Sequence, residues 1–335
     1  MDLEAFIFCL LFLLLLFSRA KKQWGIWPIF LALVGFVGYR DVSIGSDTAN
    51  YSLYFQILKN GGAITSEYLF GVLNKVVLYF QGEVYIVQIL ASILTILPVF
   101  YVVGKKSPLP YLAVFLYLTL YLYFYSFNIV RQCIAISICF MAVSVFLKNK
   151  IWFFSLIVIA INFHASAIIM LPLYYIERLK IGRATISIGL ILTFCIGIFL
   201  PSYLLNIAGL FGYSNYLTGA FGLGSLVGNM FYLLIVNAFF FAVSKFEREK
   251  SAVLFKLFFL FVIVTNILIR FPFGNRVILY FSIFQILYLP DLLSRLSGKE
   301  KSIVFLMILG YAIFTFYMFY GNGEIFPYKS ILDGR

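Results

Sequence analysis

The sequence predicts an all-α polytopic membrane protein with about twelve transmembrane helices. Hydrophobic residues make up 63% of its 335 positions and charged residues only 11%, whereas soluble domains are roughly half apolar and a quarter charged. Apolar runs of the ~20 residues that a spanning helix needs recur from end to end. The bilayer is therefore the solvent in which this chain folds.

Short basic clusters between the apolar runs account for most of the net charge of +12. Such clusters mark cytoplasmic loops under the positive-inside rule, and this distribution argues against nucleic-acid binding. The clusters are Arg19-Lys21-Lys22, Lys105-Lys106, Lys148-Lys150, Arg178-Lys180-Arg183, Lys245-Arg248-Lys250 and Arg295-Lys299-Lys301.

Placing the clusters in the cytoplasm predicts the path of the chain, with both termini outside. The segment 64–80 contains Glu67, Asn74 and Lys75 and does not fit as a crossing, so it is predicted to be an amphipathic helix at the outer interface. Membrane helices are predicted at 4–18, 24–39, 84–103, 109–127, 128–147, in two legs within 151–178, and at 184–203, 226–244, 252–270, 276–293 and 303–320.

The whole chain, 1–335, is predicted to form one integral membrane domain. Its outer loops, 40–83 and 202–228, are expected to contribute to an outward-facing cavity. The first leg of segment 151–178 ends at Phe163 and spans about 20 Å as a helix, which is short of the ~30 Å hydrocarbon core. The apex at His164 should therefore be recessed, and a recessed polar apex needs protein or a watery cavity around it.

Five cationic or titratable side chains fall on the predicted outer face, each at or near a helix end. Charged residues inside a membrane cost about 2.5–3.5 kcal/mol each and are functional by default, so their convergence predicts a site for a polyanion. Less specific explanations are an interfacial anchor, an ion pair with a neighbouring acid, a satisfied interior histidine, or snorkelling to lipid headgroups. The five residues are Arg40, Arg131, His164, Arg270 and Arg276.

Loop acids and tyrosines complete the set of candidates. Asp47 and Glu67 could act as bases, although solvated or arginine-paired carboxylates are the ordinary alternative. Tyrosine rings near the outer face could stack on sugars, although aromatic residues are also common as an interfacial belt. The tyrosines selected as candidates are Tyr51, Tyr54, Tyr213 and Tyr216.

Nothing in the sequence predicts a cofactor or a metal site. There is no Gly-rich phosphate loop, and the four cysteines lack the spacing of metal ligands. An outward-facing enzyme has no supply of soluble nucleotide sugars, so its activated donor should arrive in the membrane as a lipid diphosphate. Arginine suits such a donor because its guanidinium makes bidentate bonds to phosphate oxygens.

Five short motifs, in order, resemble those of the EpsG/Wzy-like polysaccharide polymerases and cover nearly the whole chain. The stretch YRDVSIGSDTANYSLYF resembles (F/Y)R-x-G-x-G-x-D-x-x-x-Y, with Val42-Ser43 standing where a glycine often follows the Arg-x pair. The other four matches are NIVRQCIAISI to RQ-x-(I/L)-A, NFHASAIIMLPLYYI to H-x-S-A followed by Leu-Pro, NRVILYF to R-x-x-x-Y-F, and IFPYKSIL to a terminal PYK.

The resemblance implies a GT-C-like transferase of the bacterial inner membrane. Such an enzyme joins oligosaccharide repeat units carried on undecaprenyl diphosphate at the outer leaflet, in O-antigen, capsule or exopolysaccharide synthesis. A chain-length regulator protein and membrane lipid are further expected partners. In this scheme the diphosphate is bound by Arg131, together with Arg270 or Arg276 and with Arg40, and no metal is required. His164 is the expected base, and Asp47 or Glu67 is the alternative.

Three other classes compete with a polymerase. A flippase for lipid-linked oligosaccharides would also need many helices and buried arginines, but it must open to both sides, and the cytoplasmic halves of the helices carry almost no charge. A membrane acyltransferase would need a route for a cytoplasmic acyl donor, whereas His164 is predicted at the other face. A ligase that transfers finished glycan shares the chemistry and stays open.

Overall fold

The computed structural model describes residues 3–18, 20, 24–63, 67–210, 226–249, 252–271, 274–320 and 324–332. These described residues form fourteen α-helices and two 3₁₀ helices. Their one isolated β-bridge is antiparallel and joins Arg40 to Ser330. The α-helices are α1 (Leu3–Leu16), α2 (Ile26–Gly38), α3 (Thr48–Lys59), α4 (Tyr68–Tyr79), α5 (Val84–Lys106), α6 (Pro110–Thr119), α7 (Val130–Phe146), α8 (Lys150–Phe163), α9 (Arg183–Leu210), α10 (Leu226–Ser244), α11 (Val253–Leu268), α12 (Gly274–Ser282), α13 (Gln285–Arg295) and α14 (Gly298–Phe319). The 3₁₀ helices are Phe124–Phe127 and Ala165–Arg178.

Three described stretches are long and apolar enough to cross a membrane. They are α5, the stretch Gly274–Arg295 that contains α12 and α13, and α14. The other apolar helices have 10–17 residues in their described parts. The prediction of a helical polytopic membrane protein is therefore confirmed, whereas the number of crossings and their direction stay predictions.

The prediction of one continuous helix over 109–127 is wrong, because the helix is interrupted. Helix α6 ends at Thr119, and Tyr121 has a positive φ of 64°. The hydroxyl of the buried Tyr123 donates to the carbonyl of Leu33 on α2 at 2.9 Å. Because a buried hydroxyl needs a partner, this long-range bond favours the bend over a continuous helix.

The two legs predicted within 151–178 are present, and they meet at His164. Helix α8 has 14 residues, about 21 Å at an α-helical rise. The second leg also has 14 residues but is a 3₁₀ helix, which rises ~2.0 Å per residue and so extends about 28 Å. Helix α9 continues to Leu210, past its predicted end at 203.

The chain divides into two compact units. Unit 1 comprises residues 1–174, 289–294 and 312–335, and unit 2 comprises residues 175–288 and 295–311. In unit 1, α7 packs against α5 and α8, and α5 also packs against α2. The Ser137 hydroxyl donates to Leu94 of α5, and the Ser92 hydroxyl donates to Val34 of α2. Small hydroxyl residues of this kind let apolar helices approach closely and bond to each other.

In unit 2, α11 packs against α9, α10 and α12. A polar layer joins three of these helices: the Asn266 amide donates to Thr193 and to Asn237, both at 3.1 Å, and the Asn237 amide donates to Asn266 at 2.7 Å. A Cβ at Gly197 would overlap the Asn266 carbonyl, so α9 and α11 are in backbone contact there. These bonds satisfy polar groups that lipid cannot satisfy.

An ion pair with a buried carboxylate connects the loop after α10 to Arg295, the last residue of α13, within unit 2. Arg295 donates to both carboxylate oxygens of Glu247, at 2.9 and 2.7 Å, and the Glu247 side chain is fully buried. The neighbouring pair between Arg248 and Glu300 is exposed and has a single contact at 3.3 Å. The two pairs should therefore differ strongly in their effect on stability.

We expect Arg295→Met to lower the melting temperature of the purified protein in detergent. Removing the arginine leaves the buried Glu247 carboxylate without a counter-charge and with the N–H of Glu249 still donating to it. The cost is therefore at most the ~3–5 kcal/mol of a fully buried broken pair, since Arg295 is 34% exposed. Arg248→Met is the matched control and should leave the melting temperature almost unchanged, since exposed pairs contribute about 0–1 kcal/mol. Equal shifts for both variants, measured by thermal unfolding, would contradict the assigned difference.

Candidate functional site

The Glu67 carboxylate contacts two cationic or titratable side chains in unit 1. One oxygen, Oε2, pairs with Nη1 of Arg131, and the other, Oε1, pairs with Nδ1 of His164. The three residues are 64 and 33 positions apart in the sequence. The structure therefore brings together three of the residues selected from the sequence, and we call them the Glu67 cluster.

Helix ends position all three members of the Glu67 cluster. Arg131 is the second residue of α7, where the positive end of the helix dipole disfavours a cation. The Glu67 carboxylate compensates for this unfavourable position. Glu67 itself directly precedes α4, with a left-handed backbone (φ 64°, ψ 64°) that is rare for a residue other than glycine. His164 ends α8, and its backbone N–H donates to Ala160 at 2.9 Å.

Exposure differs among the members of the cluster in a way that matters for chemistry. The side chains of Arg131 and His164 are 37% and 23% exposed, whereas that of Glu67 is only 10% exposed. The carboxylate thus lies beneath the two groups that can reach a substrate. Because Nδ1 of His164 faces Glu67, the other ring nitrogen, Nε2, is the one available to accept a proton.

Aromatic rings hold the Arg131 guanidinium from α3 and α4. The Arg131 Cζ atom lies 5.4 Å from the ring centre of Tyr51 and 5.9 Å from that of Phe70. Tyr51 packs edge-on against Phe70, and Tyr54 stacks on it at 6.3 Å. Burial raises the pKa of Tyr51, and the nearby Arg131 opposes this shift. Two of the tyrosines predicted to bind sugar thus lie beside the Glu67 cluster, whereas Tyr213 and Tyr216 lie outside the described residues.

Arg40 is buried, with 1% of its surface exposed. Its guanidinium donates to the carbonyl of Val37 at 2.6 Å and to the hydroxyl of Thr48 at 3.2 Å, and it lies over the ring of Phe127. Burial lowers the pKa of Arg40 to about 10, so the side chain stays charged at neutral pH. It organises the loop between α2 and α3, and direct contact with a diphosphate would require that loop to move.

The loop itself is a compact turn. The Asp41 carboxylate accepts bonds from the backbone N–H and the hydroxyl of Ser43, which lowers the pKa of Asp41 below its ordinary value of 3.8. This Asx-type turn needs no left-handed residue at Val42 or Ser43, so a glycine is not required where the resembling motif often has one. Asp47 precedes α3, is half-buried, and makes no capping bond with its side chain.

The C-terminal tail holds this loop in place. The backbone N–H of Asp41 donates to the carbonyl of Lys329 at 2.9 Å, and the N–H of Gly45 donates to the carbonyl of Glu324 at 3.1 Å. The Tyr328 hydroxyl donates to Phe36 of α2 at 2.9 Å. We call residues 324–331 the strap. It joins two of the five sequence motifs, and sequence reasoning missed the contact because the two are almost 290 positions apart.

Arg270 and Arg276 belong to unit 2. Arg270 is 6% exposed, and its Nη1 donates to the carbonyl of Ile198 on α9. Its Nε is buried and makes no hydrogen bond within the part of the chain that the structure describes. Arg276 is half-buried in the first turn of α12. Within the described ranges, no three His, Cys, Asp or Glu side chains are grouped so as to hold a metal ion.

We expect Gly45→Ala to destabilise the loop far more than Gly61→Ala does. Both glycines have a positive φ, 88° and 86°, so both substitutions incur the same backbone penalty, about 1 kcal/mol. Only at Gly45 would the new Cβ also lie 2.5 Å from the carbonyl of Phe127 and 2.8 Å from the amide oxygen of Asn128. Thermal unfolding of the two variants tests this, and equal melting temperatures would show that the packing around Gly45 is not tight.

Comparison with known proteins identifies the family of the chain. No curated protein and no solved structure was found to match it. The EpsG family model matches residues 24–330, a range that includes α2 to α14, the Glu67 cluster and most of the strap. The chain is therefore a membrane protein of the EpsG family, with polysaccharide-polymerase-like function in general.

Proposed function

We propose that this protein joins oligosaccharide repeat units carried on undecaprenyl diphosphate, by glycosyl transfer at the outer leaflet of the bacterial inner membrane. The observation that carries the proposal is the Glu67 cluster. It offers a titratable imidazole, a carboxylate that orients the imidazole, and a guanidinium, all within an otherwise apolar protein. Glycosyl transfer from a diphosphate needs these groups: a base for the acceptor and a positive charge for the leaving group.

His164 is the base in this scheme. The Glu67 carboxylate accepts a hydrogen bond from Nδ1–H, which leaves Nε2 free to take the proton of an acceptor hydroxyl. The acceptor oxygen then forms a bond to the anomeric carbon of the donor sugar. Glu67 stabilises the resulting imidazolium. The Asp47 carboxylate, the alternative base, caps no N–H of α3 and is the second assignment.

Arg131 stabilises the leaving group. As the bond between the anomeric carbon and the diphosphate oxygen breaks, the electron pair stays on the diphosphate, and the transition state resembles an oxocarbenium ion. A guanidinium fixed by aromatic rings can meet that charge without reorganising. This arrangement supplies the countercharge without a metal ion.

The aromatic residues beside Arg131 support binding of the sugar. The ring of Tyr51 offers an apolar face. The buried hydroxyl of Tyr54 makes no hydrogen bond within the described part of the chain, and the side chain would have to move before this hydroxyl could meet a sugar. Arg270 and Arg276, in unit 2, stay candidates for diphosphate binding from the sequence alone. We assign diphosphate binding to Arg131 and the positioning of the loop to Arg40.

The test of the reaction is genetic and needs no knowledge of the sugar. The gene is deleted in its host, the wild type is restored, and the surface polysaccharide is resolved on a gel. Collapse of a long ladder to single repeat units on deletion would support a polymerase. Long chains that remain on the carrier would indicate a ligase, and loss of all outward glycan a flippase. An intact ladder that lacks only a substituent would indicate an acyltransferase.

We expect His164→Gln and Glu67→Gln each to lower the rate of chain extension by about 10²-fold or more, as loss of general-base catalysis does. The double variant should be little worse than either single variant, because the two residues act as one unit. Arg178→Gln is the control, since this arginine lies over the ring of Tyr175 in a predicted cytoplasmic cluster and should retain wild-type extension. If the losses in extension rate add up in the double variant, His164 and Glu67 act independently, which would contradict their assignment as one unit.

A further inference from the structure

Helix α4 has one buried face and one exposed apolar face. The helix packs against α3, α5 and α8, and its buried residues recur at helical spacing; they are Phe70, Gly71, Asn74 and Val77. On the opposite side, Tyr68, Val76 and Tyr79 are exposed to 60%, 47% and 83%, and Phe80 follows at 76%. Lys75 is exposed on the same side. An exposed helix face with large aromatic residues and a lysine is typical of a helix that lies in a lipid interface.

The connection to α5 places the end of this face at the level of the membrane. Helix α5 begins at Val84, four residues after Phe80, and is one of the three stretches long and apolar enough to cross the bilayer. Tyr79 and Phe80 therefore lie close to the point where the chain enters the bilayer. Aromatic residues favour that depth, and a lysine one turn away can reach lipid phosphates.

The other end of α4 is the Glu67 cluster. Glu67 directly precedes Tyr68, and the 12 residues of α4 extend about 18 Å. The helix thus connects an exposed aromatic end to the carboxylate that contacts His164 and Arg131. The left-handed backbone of Glu67 persists only if the surrounding structure holds it.

We propose that the exposed face of α4, formed by Tyr68, Lys75, Val76, Tyr79 and Phe80, is seated in the outer lipid interface and that this seating holds Glu67 in its cluster. The partner is phospholipid, at the boundary between headgroups and acyl chains. The contact with lipid stands on the exposure of these residues and on their connection to α5. Its consequence for catalysis rests on the function proposed above.

Fluorescence quenching tests the lipid contact without any assay of activity. The three native tryptophans, Trp24, Trp27 and Trp152, are replaced by phenylalanine, and Tyr79→Trp is introduced as a single probe. The protein is reconstituted in phosphatidylcholine brominated near the top of its acyl chains. We expect fluorescence to fall about twofold or more, since bromine quenches only at close range and interfacial aromatic residues lie at that depth. A matched probe, Val42→Trp in the loop after α2, should keep most of its fluorescence.

Two outcomes of the quenching experiment would overturn the lipid contact. One is unquenched fluorescence of the Tyr79→Trp probe with the emission of a water-exposed indole. The other is equal quenching of both probes, which would mean that the signal does not report the face of α4. Emission typical of an apolar site without any quenching would indicate a protein partner instead and would also overturn the proposal.

A second experiment tests the coupling to the Glu67 cluster. We expect the double variant Tyr79→Ser/Phe80→Ser to extend chains about tenfold more slowly, because small displacements of a catalytic group are costly. Tyr317→Ser is the control, since Tyr317 is 80% exposed on α14 and lies outside the proposed face. Tyr79→Trp/Phe80→Trp should retain the wild-type rate, because tryptophan favours the same interfacial depth, and a rate as low as that of the serine variant would contradict the coupling.

The two experiments separate failure of the inference from failure of the proposed function. Quenching together with an unchanged rate in the serine double variant would overturn the coupling. Quenching in a protein whose wild type extends no chains would overturn the proposed function and leave the lipid contact standing.

Discussion

The Glu67 carboxylate is the interaction on which the rest of the candidate site depends. In an apolar protein a cationic side chain needs a counter-charge close by, and Glu67 provides it for Arg131 at the start of α7 while it also contacts His164 at the end of α8. The carboxylate comes from the residue before α4, so one side chain connects three helices. The positions of the imidazole and the guanidinium are thereby set by the packing of α4, α7 and α8, and not by loops alone.

Arg40 solves the same physical problem in another way. In the part of the chain that the structure describes, carbonyl and hydroxyl oxygens together with an aromatic face, and not a carboxylate, surround its charge. Burial disfavours the charged guanidinium and lowers the pKa of Arg40 to about 10. The guanidinium can donate to the oxygens of Val37 and Thr48 at the same time only from a narrow range of positions. Arg40 therefore restricts the loop to one conformation. The arginine of the first motif, Arg40, is thus an organiser, whereas that of the second motif, Arg131, is 37% exposed.

The sequence predicts the larger features of the fold well and the local backbone poorly. Hydropathy and the basic clusters suffice to find nearly all helices, and they place Arg131 and His164 on the same predicted face. They could not predict the bend after Thr119, because the bond from Tyr123 to Leu33 joins residues 90 positions apart. They also gave no signal that the second leg of 151–178 is a 3₁₀ helix, since its apolar pattern resembles that of any spanning segment. Similarly, Glu67 was selected as a loop acid, but the two contacts that make it central depend on tertiary packing.

The strap makes the order of synthesis relevant to the site. Residues 324–331 bond to the loop that begins at Tyr39, yet they leave the ribosome only after every helix from α1 to α14 has been made. Until then the carbonyl of Tyr39 and the N–H groups of Asp41 and Gly45 lack their partners. The loop of Arg40 can therefore take its final form only after the strap has been made. A chain that has not yet made the strap has its helices but not the finished loop beside its candidate site. Synthesis of the strap, and not insertion of any one helix, determines when that loop is ready.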